Sequence, residues 1–253
     1  MDYILTVISG PVAYVTLNRP EVHNAFNEQL IAELTETFLR LGANPTVAVI
    51  VLEGAGKSFC AGADLEWMAK MAGYSFEENL ADAGRLQTLF QTIDACPKLT
   101  VAAVHGNAFA GALGLIATCD FAIAAPEARF GLTEVRLGLI PAVISPYLLR
   151  KIGSGALRAL ATTATLFNPE HALRIGLIDC AALDYGKELP LLLESFLRLS
   201  PEAVAATKKL LRELDEGTAD TVRAIAQARA SSEGQEGIRA FLEKRKPSWV
   251  SNS

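Results

Sequence analysis

Two runs of small residues stand out in this chain of 253 residues. They are Ser58-Phe59-Cys60-Ala61-Gly62-Ala63-Asp64 and His105-Gly106-Asn107-Ala108-Phe109-Ala110-Gly111-Ala112-Leu113-Gly114. Each follows an apolar run of strand character, and the second continues into helix-like sequence. Glycine and alanine let a ligand come close to the backbone, and turns of this kind can leave amide N–H groups pointing into a cleft. One such donor from each loop would make an oxyanion hole, which stabilises negative charge developing on a carbonyl oxygen. Tight packing of the turns against a sheet is the other use of the same residues, and the residues alone leave both open.

Other chemistries fail on spacing. Gly56-Lys57-Ser58 would end a phosphate-binding P-loop, but Val51 stands where its first glycine belongs. Gly54-Ala55-Gly56 opens a dinucleotide fingerprint that Phe59 breaks, and Cys60 replaces the last glycine of a nucleophile elbow. Four scattered cysteines without a C-x-x-C pair predict neither a zinc site nor a disulfide framework. Three histidines in no ligand spacing add nothing to a metal reading.

Composition bounds the rest. Hydrophobic residues make up 51% and charged residues 20%, enough apolar side chain for a large core and too much for a disordered chain. The net charge of −5 and the lack of a basic stripe argue against nucleic acid as a partner. The longest apolar stretch, Ala108 to Cys119, is shorter than the roughly 18 residues a membrane span needs. Met1-Asp2-Tyr3 shows no basic region before an apolar one, so a cytoplasmic protein is expected.

The elements that must hold the two loops read as alternating β and α. Tyr3–Ile8 and Val12–Asn18 flank Ser9-Gly10-Pro11 as a hairpin. Asn27 caps a helix carrying Leu30, Ile31, Leu34, Phe38 and Leu41, which stops near Gly42. Val47–Leu52 is a β-branched run of the kind covered on both faces. Ser75 and Glu78 form a capping box for a long helix that Pro97 ends. Thr100–Val104, Phe121–Ala124 and Arg129–Gly131 read as strands, with the segment from Gly106 to Asp120 helix-like. From Ser145 onward the sequence is helical apart from a strand near Leu177–Asp179. Residues 1–195 are expected to form the core, and 196–253 a helical oligomerisation region with Val204, Leu210, Leu211 and Ile225 as unspent apolar surface.

The order of several signposts resembles the enoyl-CoA hydratase/isomerase, or crotonase, family over nearly the whole chain. They are Leu17-Asn18-Arg19-Pro20 with Asn24-Ala25, the Phe59–Leu65 loop, Val104–Gly111 with Cys119-Asp120, Phe130–Glu134 with Gly138–Pro141, and Phe241–Lys246. The resemblance implies an α/β spiral of ββα units followed by a helical trimerisation region, assembled as a homotrimer or homohexamer. It implies acyl-CoA thioester substrates, with coenzyme A as part of the substrate and no separate cofactor or metal. By position, the amides of Ala63 and Gly111 would form the oxyanion hole and Glu134 would handle protons. The Ala61 carbonyl would meet the adenine amine, Ala142 would line the substrate site, and Phe241 and Lys244 would reach the CoA of a neighbouring subunit.

Family hydratases generally carry two glutamates, but Gly114 stands at the first place, three residues after Gly111. Ile140-Pro141 is followed by Ala142-Val143-Ile144-Ser145 instead of a glycine-rich run. Both departures resemble bacterial methylglutaconyl-CoA and carboxygeranoyl-CoA hydratases, so a branched, acidic acyl group and a place in leucine degradation are expected. A Gly114→Glu exchange is then expected to crowd such an acyl group and to favour crotonyl-CoA. Two alternatives stand beside hydration: a Δ3-Δ2 enoyl-CoA isomerase using Glu134 alone, and a catalytically silent CoA-binding subunit. Asp64 reads as a helix N-cap and His105 as a packing residue. Arg85 and Arg136 are candidates to face an acidic acyl group, with Ser145 and Tyr147 at the rim.

Overall fold

The computed structural model describes residues 2–250. Strands β1 (Ile4–Ser9) and β2 (Val12–Leu17) pair antiparallel, with Ser9 opposite Val12 and Gly10 turning at φ +57°. Helix α1 (Glu28–Ala43) is capped by Asn27, whose side chain accepts from the Leu30 amide, and its apolar face is buried.

From there each turn of the chain gives one strand to each of two sheets. Strand β3 (Val49–Gly54) is followed by β4 (Ser58–Cys60), then by helices α2 (Leu65–Met71) and α3 (Phe76–Ala95). Strand β5 (Leu99–Val104) is followed by β6 (Asn107–Phe109) and α4 (Gly111–Thr118). Strand β7 (Phe121–Ala124) is followed by β8 (Arg129–Gly131), a 3-10 turn at Glu134–Leu137, and helices α5 (Ser145–Thr163) and α6 (Pro169–Arg174). With β9 (Cys180–Ala181), the larger sheet runs β1-β2-β3-β5-β7-β9 and the smaller β4-β6-β8. Among the described residues the named strands after the hairpin pair in parallel, with isolated antiparallel bridges at Ser58–Gly106 and Phe130–Phe167.

At β3 and β5 both faces of the larger sheet are covered, as their apolar runs require. Ile50 and Leu52 face the main core with Phe26, Phe38 and Phe90, while Val49, Val51 and Val101 face the other way. There they meet Leu189 and Leu193 of helix α7 (Tyr185–Phe196). The remaining helices are α8 (Pro201–Asp215), α9 (Thr221–Ala230) and α10 (Ser232–Leu242). Helix α8 is fastened to the core by Lys208, whose Nζ donates to Asp120 at 2.6 Å and to the Lys98 carbonyl at 2.9 Å.

Two sequence expectations need correction. The segment after Gly106 is not helical from its start, because residues 107–109 form β6 and the helix begins at Gly111. The last strand is Cys180–Ala181 rather than Leu177–Asp179. Leu177 and Ile178 owe their apolar character to burial in the main core, and Asp179 accepts a hydrogen bond from the Ala122 amide through its side chain. No helix among the described residues is long and apolar enough to cross a membrane.

Candidate active site

The smaller sheet brings the chemistry together. Its three strands are parallel, with Cys60 beside Ala108 and Phe109 beside Gly131, so their C-terminal ends lie along one edge. The segments leaving that edge are Ala61–Asp64, Ala110–Gly111 and Leu132–Glu134. The first two touch: a Cβ added to Gly62, which has φ +94°, would sit 3.3 Å from the Ala110 Cβ and from the Phe109 carbonyl oxygen. The second and third are tied by the Ala110 amide, which donates to the Gly131 carbonyl at 2.8 Å.

Phe26 fixes the two candidate amides. Its N–H donates to the Gly62 carbonyl at 2.7 Å and its carbonyl accepts from the Asp64 amide at 2.8 Å, a parallel bridge centred on Ala63. In a parallel ladder the bridged residue's own N–H faces away from its partner, so the Ala63 amide points outward, at an exposed residue. The Phe26 ring lies where a side chain on Gly111 would be, 2.9 Å from a Cβ built there. Gly111 begins α4, so its amide is one of the first-turn donors no helical carbonyl satisfies, at the positive end of the helix dipole. Ala110 reaches that turn with φ +52° and ψ −120°, a strained conformation for an L-residue of the sort that gathers at functional sites. Among the described residues, neither amide donates to a protein acceptor.

Glu134 opens the 3-10 turn, which is held by the Leu139 amide donating to the Glu134 carbonyl at 3.1 Å. The residue is half-buried, and its Oε2 is buried without a hydrogen-bond partner among the described residues. Burial pushes its carboxyl up from the usual carboxylate range. A carboxylate whose pKa is raised by burial is a stronger base than an ordinary one, suited to taking up a proton and returning it.

The surroundings of Gly114 are packed with hydrocarbon. A Cβ there would lie 2.4 Å from Ile144 Cγ2 and 2.8 Å from two carbons of the Phe90 ring. Both side chains are buried, and Phe90 meets Phe26 edge-on at 6.5 Å. Phe26 and Phe90 carried no sequence signal beyond their apolarity, and Ile144 only its place in the run that replaces a glycine-rich one, because their role depends on contacts between distant segments.

The other candidates fall into place individually. Ala61 is half-buried and donates its amide to the His23 carbonyl at 3.0 Å. Ala142 is exposed in the turn before α5, its amide donating to the Ile140 carbonyl. Phe241, at 82% exposure, and exposed Lys244 are carried at the end of α10, which packs on α8 and α9 rather than on the smaller sheet. Asp64 is an N-cap, accepting from the Glu66 and Trp67 amides, and pairs with Arg19 at 2.8 Å. Burial alone would raise its carboxyl, but the Arg19 guanidinium and the helix amides outweigh that and hold it low. His105 bonds the Gly56 carbonyl, Arg85 pairs with Asp82 at 2.6 Å, and Arg136 donates to the Ala164 carbonyl at 2.6 Å. Ser145 Oγ donates to the Pro141 carbonyl, and the Tyr147 ring lies 6.1 Å from that of Phe90.

The profile of the enoyl-CoA hydratase/isomerase family matches residues 8–252. A solved enoyl-CoA hydratase from Shewanella pealeana is 43% identical and superposes with a TM-score of 0.93, over 98% of this chain and 96% of its own. AtuE of Pseudomonas aeruginosa is 37% identical with a TM-score of 0.91, covering 98% of this chain and all of its own. A crotonyl-CoA hydratase from Syntrophomonas wolfei is 32% identical over 95% of both chains. With its two interleaved sheets and C-terminal helices in the crotonase arrangement, the chain belongs to the enoyl-CoA hydratase/isomerase family.

Proposed function

We propose that the protein adds water to the double bond of a branched 2-enoyl-CoA, with methylglutaconyl-CoA the acyl group that fits best, using Glu134 as its single carboxylate. The observation that carries this reading is the buried Oε2 of Glu134, which has no hydrogen-bond partner among the described residues; separately, Ile144 and Phe90 occupy the space that a side chain at position 114 would need. The thioester oxygen would accept from the Ala63 and Gly111 amides. As water attacks C3, charge develops on that oxygen as an enolate, where the two fixed donors stabilise it most. Glu134 takes one proton from the attacking water and returns it to C2, so the carboxylate is regenerated and one water is added.

Ile144 and Phe90, packed against Gly114, leave no room for a second glutamate. Ala61 would accept from the adenine amine through its carbonyl, and Ala142 would border the acyl group. Phe241, exposed on α10, and Lys244, exposed just after it, would complete the CoA site of a neighbouring subunit in a cytoplasmic homotrimer or homohexamer. A single base also suffices to shift a double bond, so isomerisation competes directly with hydration. The test is a panel of crotonyl-CoA, methylglutaconyl-CoA and a 3-enoyl-CoA with product analysis. Fastest conversion of methylglutaconyl-CoA to a 3-hydroxyacyl product supports the proposal. Exclusive conversion of the 3-enoyl-CoA to its 2-enoyl isomer overturns it for the isomerase, and inertness toward all three leaves the silent subunit.

A further inference from the structure

Arg19 is buried at the end of the hairpin, far in sequence from the small-residue loops, and it bonds to both sides of the Phe26 bridge. Its Nη1 donates to the Ala25 carbonyl at 2.8 Å and its Nη2 pairs with Asp64 at 2.8 Å. Asn24 holds the same joint. Its Oδ1 accepts from the Arg19 amide at 2.9 Å, while its Nδ2 donates to the Ala55 and Ser58 carbonyls at 2.8 and 2.7 Å. Tyr3 lies against the guanidinium, 4.6 Å from ring centre to Cζ. Residues 25–26 and residues 62–64 are therefore held in register by one planar cation that reaches both.

That register decides where two amides point. The Phe26–Ala63 bridge turns the Ala63 N–H outward, and the Phe26 ring presses on Gly111 at the start of α4. Arg19 Nε is buried without an acceptor among the described residues, a cost in stability that better-packed hydrocarbon would avoid. Replacing a buried ion pair by hydrocarbon is often neutral or stabilising, and specifying one arrangement is the better-attested use of such a pair.

We propose that Arg19 is a positioning residue for catalysis: it locks the Phe26 segment against the Ala63 loop, and Phe26 carries that constraint to Gly111. This inference rests on the reading of Ala63 and Gly111 as the oxyanion-binding amides. Arg19 touches no substrate, and its effect passes through the aim of the two donors. A lysine would keep the charge but could not span Ala25 and Asp64 with a planar fork.

The test uses Arg19→Lys and, independently, Asp64→Asn, which keeps the cap on α2 while weakening the pair. Acetoacetyl-CoA is the probe, because its enolate places negative charge on the thioester and ketone oxygens and absorbs in the ultraviolet. Bound to the wild-type protein, its apparent pKa should fall below that in water. In both variants, with folding checked by circular dichroism, that pKa should rise by about 1 unit, a tenfold loss of enolate stabilisation. The kcat for enoyl-CoA hydration should fall roughly 10- to 100-fold, short of the loss of a whole donor. Affinity for free CoA should stay within about twofold, which a merely loosened fold would not allow. Folded variants with the wild-type enolate pKa, or with CoA affinity lost in proportion to kcat, overturn the positioning role. A wild-type protein that leaves the pKa of acetoacetyl-CoA unchanged refutes the oxyanion reading, and the positioning role with it.

Discussion

By the family resemblance Gly114 takes the place of a second catalytic carboxylate, and the packing around it sets what a substitution there will do. A Cβ at that position would lie 2.4 Å from Ile144 Cγ2, against the roughly 3.5–4.0 Å of a comfortable carbon contact. Two Phe90 ring carbons at 2.8 Å block the other direction. Gly114→Ala gains about 1 kcal/mol of helix propensity but overpacks the core at a cost of about 1–3 kcal/mol, so a net destabilisation of about 1 kcal/mol is expected. Ile144→Ala, at a residue 3% exposed, should cost about 2–5 kcal/mol as a cavity. In the double variant the alanine methyl at 114 occupies space the isoleucine has left. The two changes should therefore couple favourably by about 1–2 kcal/mol, well outside the roughly 0.3–0.5 kcal/mol scatter of independent sites. Urea unfolding at fixed protein concentration measures the cycle. Additive single changes would refute the packing argument. The same geometry reverses the expectation that Gly114→Glu favours crotonyl-CoA. A glutamate can enter only by displacing Ile144 and Phe90, so the single change should lower turnover of every enoyl-CoA.

Three further outcomes follow from the ionisable groups. Glu134→Gln should raise the melting temperature by about 2–4 °C near neutral pH, since it removes the cost of about 1 kcal/mol for half-burying an unpartnered carboxylate. The carboxyl is pushed up in the folded protein, so this cost grows as pH rises through the raised value and disappears below the unfolded value near 4.3. The two proteins should thus converge in acid, and a gain that persists there would contradict the cause. For the same reason the acid limb of kcat/KM should titrate above the ordinary carboxylate range, and a limb near 4 would contradict the burial of the base. Asp64 works in the opposite sense: held low by Arg19, it adds stability above its unfolded value near 3.9 that is lost as pH falls toward its folded value. Asp64→Asn should remove that part of the acid sensitivity, measured by urea unfolding between about pH 3 and 6, and an unchanged dependence would contradict the pairing.

What could be read from the sequence was what depends on neighbours along the chain. The Asn27 cap and both arms of the Ser75–Glu78 capping box are formed as their spacing requires. The β-branched runs at residues 49–52 and 101–104 are buried strands for the reason their composition gives. Strands β4 and β6 were hidden, because their three residues each lie inside small-residue runs that read as loop or as helix. Leu177-Ile178 mimicked a strand, since a short apolar run looks the same whether it is paired in a sheet or packed in a core. In the site, the small-residue loops and Glu134 were visible as residue types and by family resemblance. The roles of Arg19, Phe26, Phe90 and Ile144 were not, because they arise from contacts across 24 to 85 positions of sequence that no local pattern records.

The most direct measurement is the turnover of Glu134→Gln on methylglutaconyl-CoA, alongside the wild-type protein and with CoA affinity measured on both. Glutamine keeps the shape of the side chain and removes its base. In the folded variant, hydration should fall by roughly 10²- to 10⁴-fold, the scale of a positioned acid–base group, while CoA affinity stays within about twofold. Near-normal turnover in a folded Glu134→Gln protein would contradict single-carboxylate catalysis.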